Sequence, residues 1–422
     1  MTRRANDRQI NRRQFLGTTA AGVGAGMLAS GLTPRTARSA ARTPGANERI
    51  VMGTIGTGGM SCHHLGIYKE KFAKDVDVVA FCDIYEDRFN RAKEIFPDAK
   101  IYWDYRELLD RKDIDAVLIA SPEHWHCQHL IDAVQAGKDA YSEKPLSHTL
   151  EQSAKMVEAV RKTDRIVQIG MQRRSTQSII LARQIVEGGA LGEVALVRAW
   201  WFWNLPPMRT DRKFNGRLDW DKFQAPCKPE ERVPPNPERY FDWRYFWAYS
   251  GGNLTDQGAH LMDVVQWFIN DGEPPLAAQE HGAVYQKVGY QTPDTFCAVF
   301  EYPKFMATWT LTYDNEWQRA WGICFQGNRA TLLLDDNGAK FYHEPWRAKA
   351  DGSDPDPMAQ VAGGLQVDEH QRNFIECVRS RKEPNAPVEV GQKAVAGLHV
   401  ANLAHFAKRR VALDRDYVTT SM

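Results

Sequence analysis

The sequence predicts two linked architectures. The first is α/β, a doubly wound parallel sheet in the N-terminal part. The second is α+β, with a large, mostly antiparallel sheet. Three observations predict this. At 422 residues the chain exceeds one ordinary core, since domains usually take about 100–200 residues. Between residues 50 and 145, short apolar runs alternate with helical stretches, as strands and crossover helices do in a parallel sheet. Beyond about residue 168 the strand candidates become longer, more aromatic and alternating, as in an antiparallel sheet solvated on one face. The expected division is an arm at 1–42, a first, parallel-sheet domain at 48–167, a second, α+β domain at 168–410, and a tail at 411–422.

Composition excludes several classes. With 43% hydrophobic and 25% charged residues the chain reads as globular, not disordered, collagen-like or multiply membrane-spanning. A formal charge of +1 provides no field for gathering nucleic acid. That +1 hides an asymmetry: residues 1–42 hold eight arginines against one acid, Asp7, so the remainder is mildly acidic. The seven cysteines are odd in number and none has CxxC spacing, which fits neither a disulfide framework nor a zinc ribbon.

The arm comes first. Arg12–Arg13 followed by Phe15–Leu16 resembles a twin-arginine export signal. A weakly apolar, Gly-rich run from Thr18 to Leu32 follows, too short for a stable membrane span. Ser39, Ala40 and Ala41 suit signal peptidase. The expectation is a periplasmic or otherwise exported protein that engages the twin-arginine translocase. The bland alternative is a basic tail on anionic lipid.

Ile50–Ile55 reads as a buried strand running into Gly56-Thr57-Gly58-Gly59-Met60-Ser61. Glycines here permit a tight turn and let the backbone approach a pyrophosphate at a helix N-terminus. Ser61 replaces the third glycine of the fingerprint. Val76–Asp83 reads as the next strand, ending in an acid 25 residues past Gly58. A carboxylate there can accept from ribose hydroxyls and repel a 2′-phosphate, which favours NAD over NADP. Ala116–Ala120 is a further strand, followed by a helix from about His126 to Ala136.

Two clusters sit at strand ends, where ligands collect in such sheets. Ser121-Pro122-Glu123-His124-Trp125-His126 can touch a nicotinamide; the alternatives are solvated imidazoles or, more remotely, a metal site that also uses His129. Ser142-Glu143-Lys144-Pro145 follows the strand Lys138–Tyr141. A lysine held there can bind a substrate hydroxyl and stabilise developing alkoxide; a surface Glu–Lys pair is the alternative. Far along the chain, Gly251–Asp263 begins an apolar helix running to about Ile269. Asp256 and His260 at i and i+4 share a face, with Asp263 continuing it. An imidazole beside a carboxylate can serve as general base.

Together the Glu143-Lys144-Pro145 tripeptide and the Gly251-Gly252…Asp256-x-x-x-His260 segment resemble the glucose–fructose oxidoreductase / inositol dehydrogenase (Gfo/Idh/MocA) family over about residues 48–410. The resemblance implies that Lys144, Asp256 and His260 are catalytic: His260 removes the hydroxyl proton, Lys144 binds the reacting oxygen and Asp256 positions its neighbours. It implies cofactor contacts from Gly56, Gly58, Gly59, Met60, Asp83, Ser121, Glu123, His124, Glu143 and Lys144. The implied activity is NAD(P)-dependent oxidation of a secondary alcohol of a sugar, cyclitol or glycoside; export, where free NAD is scarce, predicts tightly held NAD, and the α+β second domain is expected to bind substrate and build a homo-oligomer. Two alternatives stay open: glycoside cleavage through transient oxidation, and a non-catalytic sugar-binding protein.

Strand candidates of the second domain are Glu193–Phe202, Thr295–Tyr302, Met306–Tyr313, Gly322–Gln326 and Ala330–Leu334. Residues 204–240, rich in Pro, Arg and Lys, read as a long loop. Trp200, Trp201, Trp203, Trp220, Trp243, Trp247 and Trp267 are core or sugar-stacking candidates, and Arg209, Arg212 and Arg244 could meet an anionic substrate. Helices at His370–Arg381 and Gln392–Arg409 are expected to pack back on the body.

Overall fold

Short apolar runs with no polar alternation become strands covered on both faces. Ala116–Ile119 is buried at all four positions. In the computed structural model, which describes residues 48–317 and 321–421, six strands form one parallel sheet. They are β1 (Ile50–Ile55), β2 (Val76–Cys82), β3 (Lys100–Tyr102), β4 (Ala116–Ile119), β5 (Asp139–Ser142) and β6 (Val167–Ile169). Their order is β3-β2-β1-β4-β5-β6. The order reverses between β1 and β4, which opens a crevice at their carboxyl ends. The register sets Ile55 beside Ile119, so the turns after both strands meet. The arginine-rich arm lies outside the described residues.

The second sheet has ten strands: β7 (Val194–Phe202), β8 (Ala277–Ala283), β9 (Thr295–Glu301), β10 (Met306–Thr312), β11 (Trp321–Gly327), β12 (Ala330–Asp335), β13 (Gly338–His343), β14 (Ala359–Ala362), β15 (Val411–Leu413) and β16 (Thr420–Ser421). It is antiparallel except where β10 runs parallel to β7. β10 buries every second residue, the pattern of a half-solvated sheet. Residues 411–421 are not a free tail, because β15 pairs with β8 and extends the sheet.

The late helices are Val367–Ser380 and Val388–Ala407. The first returns to the parallel sheet, where Phe374, Ile375 and Val378 share a core with Ile50, Val78 and Leu118. Residues 204–240 are more ordered than a long loop. They contain helices Trp220–Gln224 and Pro237–Phe241. With the residues up to 249 they form an aromatic core of Tyr85, Trp220, Phe223, Tyr240, Phe246 and Tyr249. This core seats the segment on the end of β2: Asp219 N donates to Ile84 O at 2.9 Å and Glu86 N to Arg217 O at 2.9 Å. No helix among the described residues is long and apolar enough to cross a membrane.

The expected helix 251–269 is interrupted. It is built as Gly252–Asp256 and Gly258–Ile269, broken at Gln257. In a continuous α-helix the Asp256 carbonyl would accept from the His260 N–H. Here it accepts from the Lys144 ammonium at 3.0 Å, while His260 N donates to Gln257 O at 3.1 Å. A side chain inserted into the helical ladder is a recognised cause of such breaks.

Candidate active site

The crevice at the strand-order reversal continues into a cleft of about 960 Å³ that reaches the second sheet. Its first wall is the turn after β1. Gly56 has φ 84°, and a Cβ there would lie 2.7 Å from Ser121 N and 2.8 Å from the Ala120 carbonyl. Only glycine fits both the backbone angle and the contact. Cβ atoms at Gly58 and Gly59 would meet nothing within 4 Å. The helix Gly59–Lys71 starts there without a side-chain cap, so its first N–H groups remain available to a phosphate. These features fit a pyrophosphate, and Ser61, fully buried, is small enough for the packing the third glycine would serve. Gly56→Ala is expected to add about 1–3 kcal/mol of strain. Thermal melts should fall for this variant and not for Gly58→Ala; equal melts would contradict the steric reading.

Asp83 stands in the cleft wall at the end of β2. Its Oδ2 accepts from Thr57 N at 2.7 Å and Thr57 Oγ1 at 3.0 Å, and its Oδ1 from Ile84 N at 2.7 Å and Tyr85 N at 3.1 Å. Those four donors fill the lone-pair positions of a carboxylate. In this arrangement Asp83 shapes the turn and lines the cleft, with no acceptor left over for a ribose hydroxyl. Burial raises its pKa against the pull of those hydrogen bonds.

Lys144 is the centre of the second wall. Its ammonium donates to Asp256 Oδ1 at 2.6 Å and to Asp256 O at 3.0 Å. An ammonium has three donors, so one remains for the cleft. The other oxygen of Asp256 lies 3.2 Å from Arg244 Nε and accepts from Gln257 at 3.3 Å. Burial alone would raise the Asp256 pKa; Lys144 and Arg244 together outweigh burial and hold it below the usual carboxylate range. The loop carrying Lys144 is tied from below. His126 sets its ring nitrogens 2.8 Å from both Pro145 O and Ser121 O, joining the turns after β4 and β5. Glu143 faces His64 Nε2 at 2.6 Å and accepts from Gln172 at 3.2 Å. Burial would raise Glu143, but His64 and then Lys144 bring it below its ordinary value.

His260 lines the same cleft, yet it does not pair with Asp256, whose carboxylate is turned to Lys144 and Arg244. Its Nδ1 is buried without a partner. Burial, reinforced by the positive charges of Arg173 and Lys144, drives its pKa well below the ordinary histidine value, so the ring is neutral. Asp263 does not continue an acidic face towards His260; it forms a bidentate pair with Arg174 at 2.8–3.0 Å.

Gly56, Gly58, Gly59, Met60, Asp83 and Ser121 all line the cleft, as do Glu143, Lys144, Asp256 and His260. Glu123 and His124 do not; both are buried against other partners. Glu123 accepts from Ser250 Oγ at 2.7 Å and Gly251 N at 3.2 Å, and burial, with the nearby charge of Asp256, pushes it up to about 8. His124 Nε2 donates to Phe223 O at 2.7 Å, and burial lowers it to about 3. Both carry the helix Gly252–Asp256 and the 204–249 segment. Arg209 and Arg212 are spent on Asp211 and Asp242. Among the described residues no group of three or more His, Cys, Asp or Glu is placed to hold a metal. No sequence motif marks Gln172, Arg173 and Trp321, which also line the cleft.

Comparison with known proteins identifies the family and the fold. Residues 50–171 match a family model described as an oxidoreductase family with NAD-binding Rossmann fold, and residues 231–333 match the GFO/IDH/MocA C-terminal domain. Together the two models cover just over half the chain. Inositol 2-dehydrogenase of Salmonella typhimurium is 32% identical over 221 residues, covering 52% of this chain and 54% of the relative. A glycosyl hydrolase family 109 protein of Shewanella sp. is 28% identical over 208 residues, covering 44% of each. The chain spans about half the length of the curated relatives it matches. Among solved structures, the WlbA dehydrogenase of Bordetella pertussis in complex with NADH and UDP-GlcNAcA superposes with TM-score 0.67 at 19% identity, covering 87% of this chain and 99% of that one. A levoglucosan dehydrogenase in complex with NADH and levoglucosan gives TM-score 0.67 at 18% identity, covering 86% and 99%. At these identities the structural likeness establishes the fold.

Proposed function

The chain belongs to the GFO/IDH/MocA oxidoreductase family, and from that premise we propose that it is an exported, homo-oligomeric NAD-dependent oxidoreductase acting on a secondary alcohol of a sugar, cyclitol or glycoside. The observation that carries this is one cleft holding a glycine turn suited to pyrophosphate, a lysine with one free donor and a neutral histidine. A bound nicotinamide would supply the hydride acceptor. The chain's own residues do the rest. Lys144 donates to the carbinol oxygen and stabilises the negative charge that grows on it. His260, with Nδ1 shut in the interior, takes the hydroxyl proton at Nε2. Asp256 fixes the Lys144 ammonium through two acceptors and is itself fixed by Arg244. The preference for NAD rests on the charge of Asp83 in the wall; Asp83→Ser should narrow the gap between NAD and NADP affinities.

Export makes free cofactor scarce, so the dinucleotide should stay bound between turnovers. The 204–249 segment supports this. It contributes Lys222, Phe223, Tyr240, Phe241 and Trp243 to the cleft beside Asp83. It is clamped by Asn215 N to Tyr85 Oη at 2.6 Å and Arg217 N to Glu86 Oε2 at 2.8 Å. The double variant Tyr85→Phe/Glu86→Ala loses both clamps, and dinucleotide release followed by fluorescence should accelerate several-fold; an unchanged rate would remove the segment from cofactor retention.

Mass spectrometry of gently purified mature protein tests the main reading: released NAD is expected, and no dinucleotide would count against it. The likeness to the Shewanella glycosyl hydrolase family 109 protein supports a second reading, glycoside cleavage through transient oxidation. Free sugar released from a glycoside with no net reduction of the nicotinamide would favour that one.

A further inference from the structure

We propose that the sugar taken by this cleft carries an oxyanion, a carboxylate or a sulfate ester, and that Arg173 holds it. The proposal rests on the dehydrogenase reading of the same cleft and names its substrate class. Arg173 is 4% exposed and lines the cleft. Its neighbour Arg174 is matched by the carboxylate of Asp263. Arg173 has no such match: its side chain makes no hydrogen bond or ion pair among the described residues, and its Nε is buried without a partner. The guanidinium lies 4.2 Å from the ring centroid of Trp321 and 5.7 Å from that of Trp201.

A buried charge without a counter-ion is costly, and proteins seldom keep one without use. The cost registers as a guanidinium that burial lowers to about 10. Two nearby carboxylates soften this without satisfying it. Asp263 is taken by Arg174, and Asp336 accepts the indole N–H of Trp321. The ring of Trp201 stands in the same wall. A planar guanidinium fork flanked by flat rings suits an oxyanion borne on a sugar ring. A neutral hydroxyl would leave the charge uncompensated. An oxyanion here would also offset the positive potential that, after burial, weakens His260 as a base.

Titration calorimetry on the cofactor-loaded protein tests this. The probes are methyl gluco-, galacto- and mannopyranosides, each with its uronate and its 6-sulfate. At least one anionic member is expected to bind about tenfold or more tightly than its neutral parent, the yield of charge-assisted hydrogen bonds to a buried guanidinium. Preference for uronate or for 6-sulfate tells the two sources apart. In Arg173→Met the ratio of anionic to neutral affinity should collapse towards one, with Arg173→Lys retaining part of it. Should Arg173→Met fold poorly, Arg173→Gln, which keeps polar donors and removes the charge, should bring the same ratio towards one. Equal affinities throughout the panel, or a preference indifferent to Arg173, overturn the proposal. Nicotinamide absorbance separates the two ideas. Oxidation of neutral sugars with no anionic preference sinks the oxyanion site alone. An Arg173-dependent preference with no sugar oxidised sinks the dehydrogenase reading alone.

Discussion

Replacing Lys144 with alanine is expected to leave the dinucleotide bound while lowering hydride transfer by about 10²–10³-fold, the usual cost of removing one preorganised donor to a developing oxyanion. The glycine turn lies on a different strand end, so cofactor retention by mass spectrometry should not change. Stability should change. Lys144 is paired at 2.6 Å with a carboxylate whose side chain is 3% exposed. Breaking a buried pair costs up to about 3–5 kcal/mol, and Arg244 at 3.2 Å should absorb part of that. Adding Asp256→Asn to Lys144→Ala removes the stranded charge. The double variant should regain melting temperature and regain no activity. Recovery of turnover would mean that Lys144 serves only to neutralise Asp256.

The protein is expected to lose stability steeply as pH falls below about 6.5. Burial lowers His124 and His399 to about 3 and His370 to about 4, and it also lowers His126, His129, His148 and His260. In the unfolded chain these rings titrate near about 6.5. Above that value both states are neutral and the full stability is present. Below it the unfolded chain takes up protons that the folded chain refuses, so stability drains away down to the folded values. Each such histidine contributes about 1.4 kcal/mol per pH unit. The three with values near 3–4 alone give roughly 4 kcal/mol per unit, a large share of a typical 5–15 kcal/mol. Glu123, pushed up to about 8, runs the other way and offsets about one of them as pH falls from 8. Chemical denaturation at pH 7, 6 and 5 measures this. His399→Gln should flatten the slope by about one proton, and a stability indifferent to pH over that range would refute the buried neutral rings.

What the sequence made legible was local. The turn at Gly56–Gly59 is set by residues in one tight run, and Lys144 follows a strand directly, so each could be placed by short-range pattern. Strands β9 and β10 were legible because their residues alternate. What remained hidden depended on partners distant in the chain. β8 reads Ala-Ala-Gln-Glu-His-Gly-Ala, poor in strand formers, and is a strand because β9 pairs with it. Asp256 and His260 look like a helical pair because spacing cannot reveal that Lys144, 112 residues away, takes the Asp256 carboxylate and carbonyl. Glu123 and His124 sit at the correct strand end but bond to Ser250 and Phe223 and do not line the cleft. Arg173 carries no motif at all; only its burial without a counter-ion marks it.

The most direct test of the account is isotopic. Protein loaded with oxidised NAD is mixed with substrates deuterated at the carbinol carbons, and the nicotinamide is then examined by mass spectrometry and NMR. One deuterium per chain should appear at nicotinamide C4, with transfer suppressed in Lys144→Ala and His260→Ala. Bound dinucleotide that takes up no label from any sugar, cyclitol or glycoside supplied would show that the ammonium and the imidazole in this cleft do not serve hydride transfer.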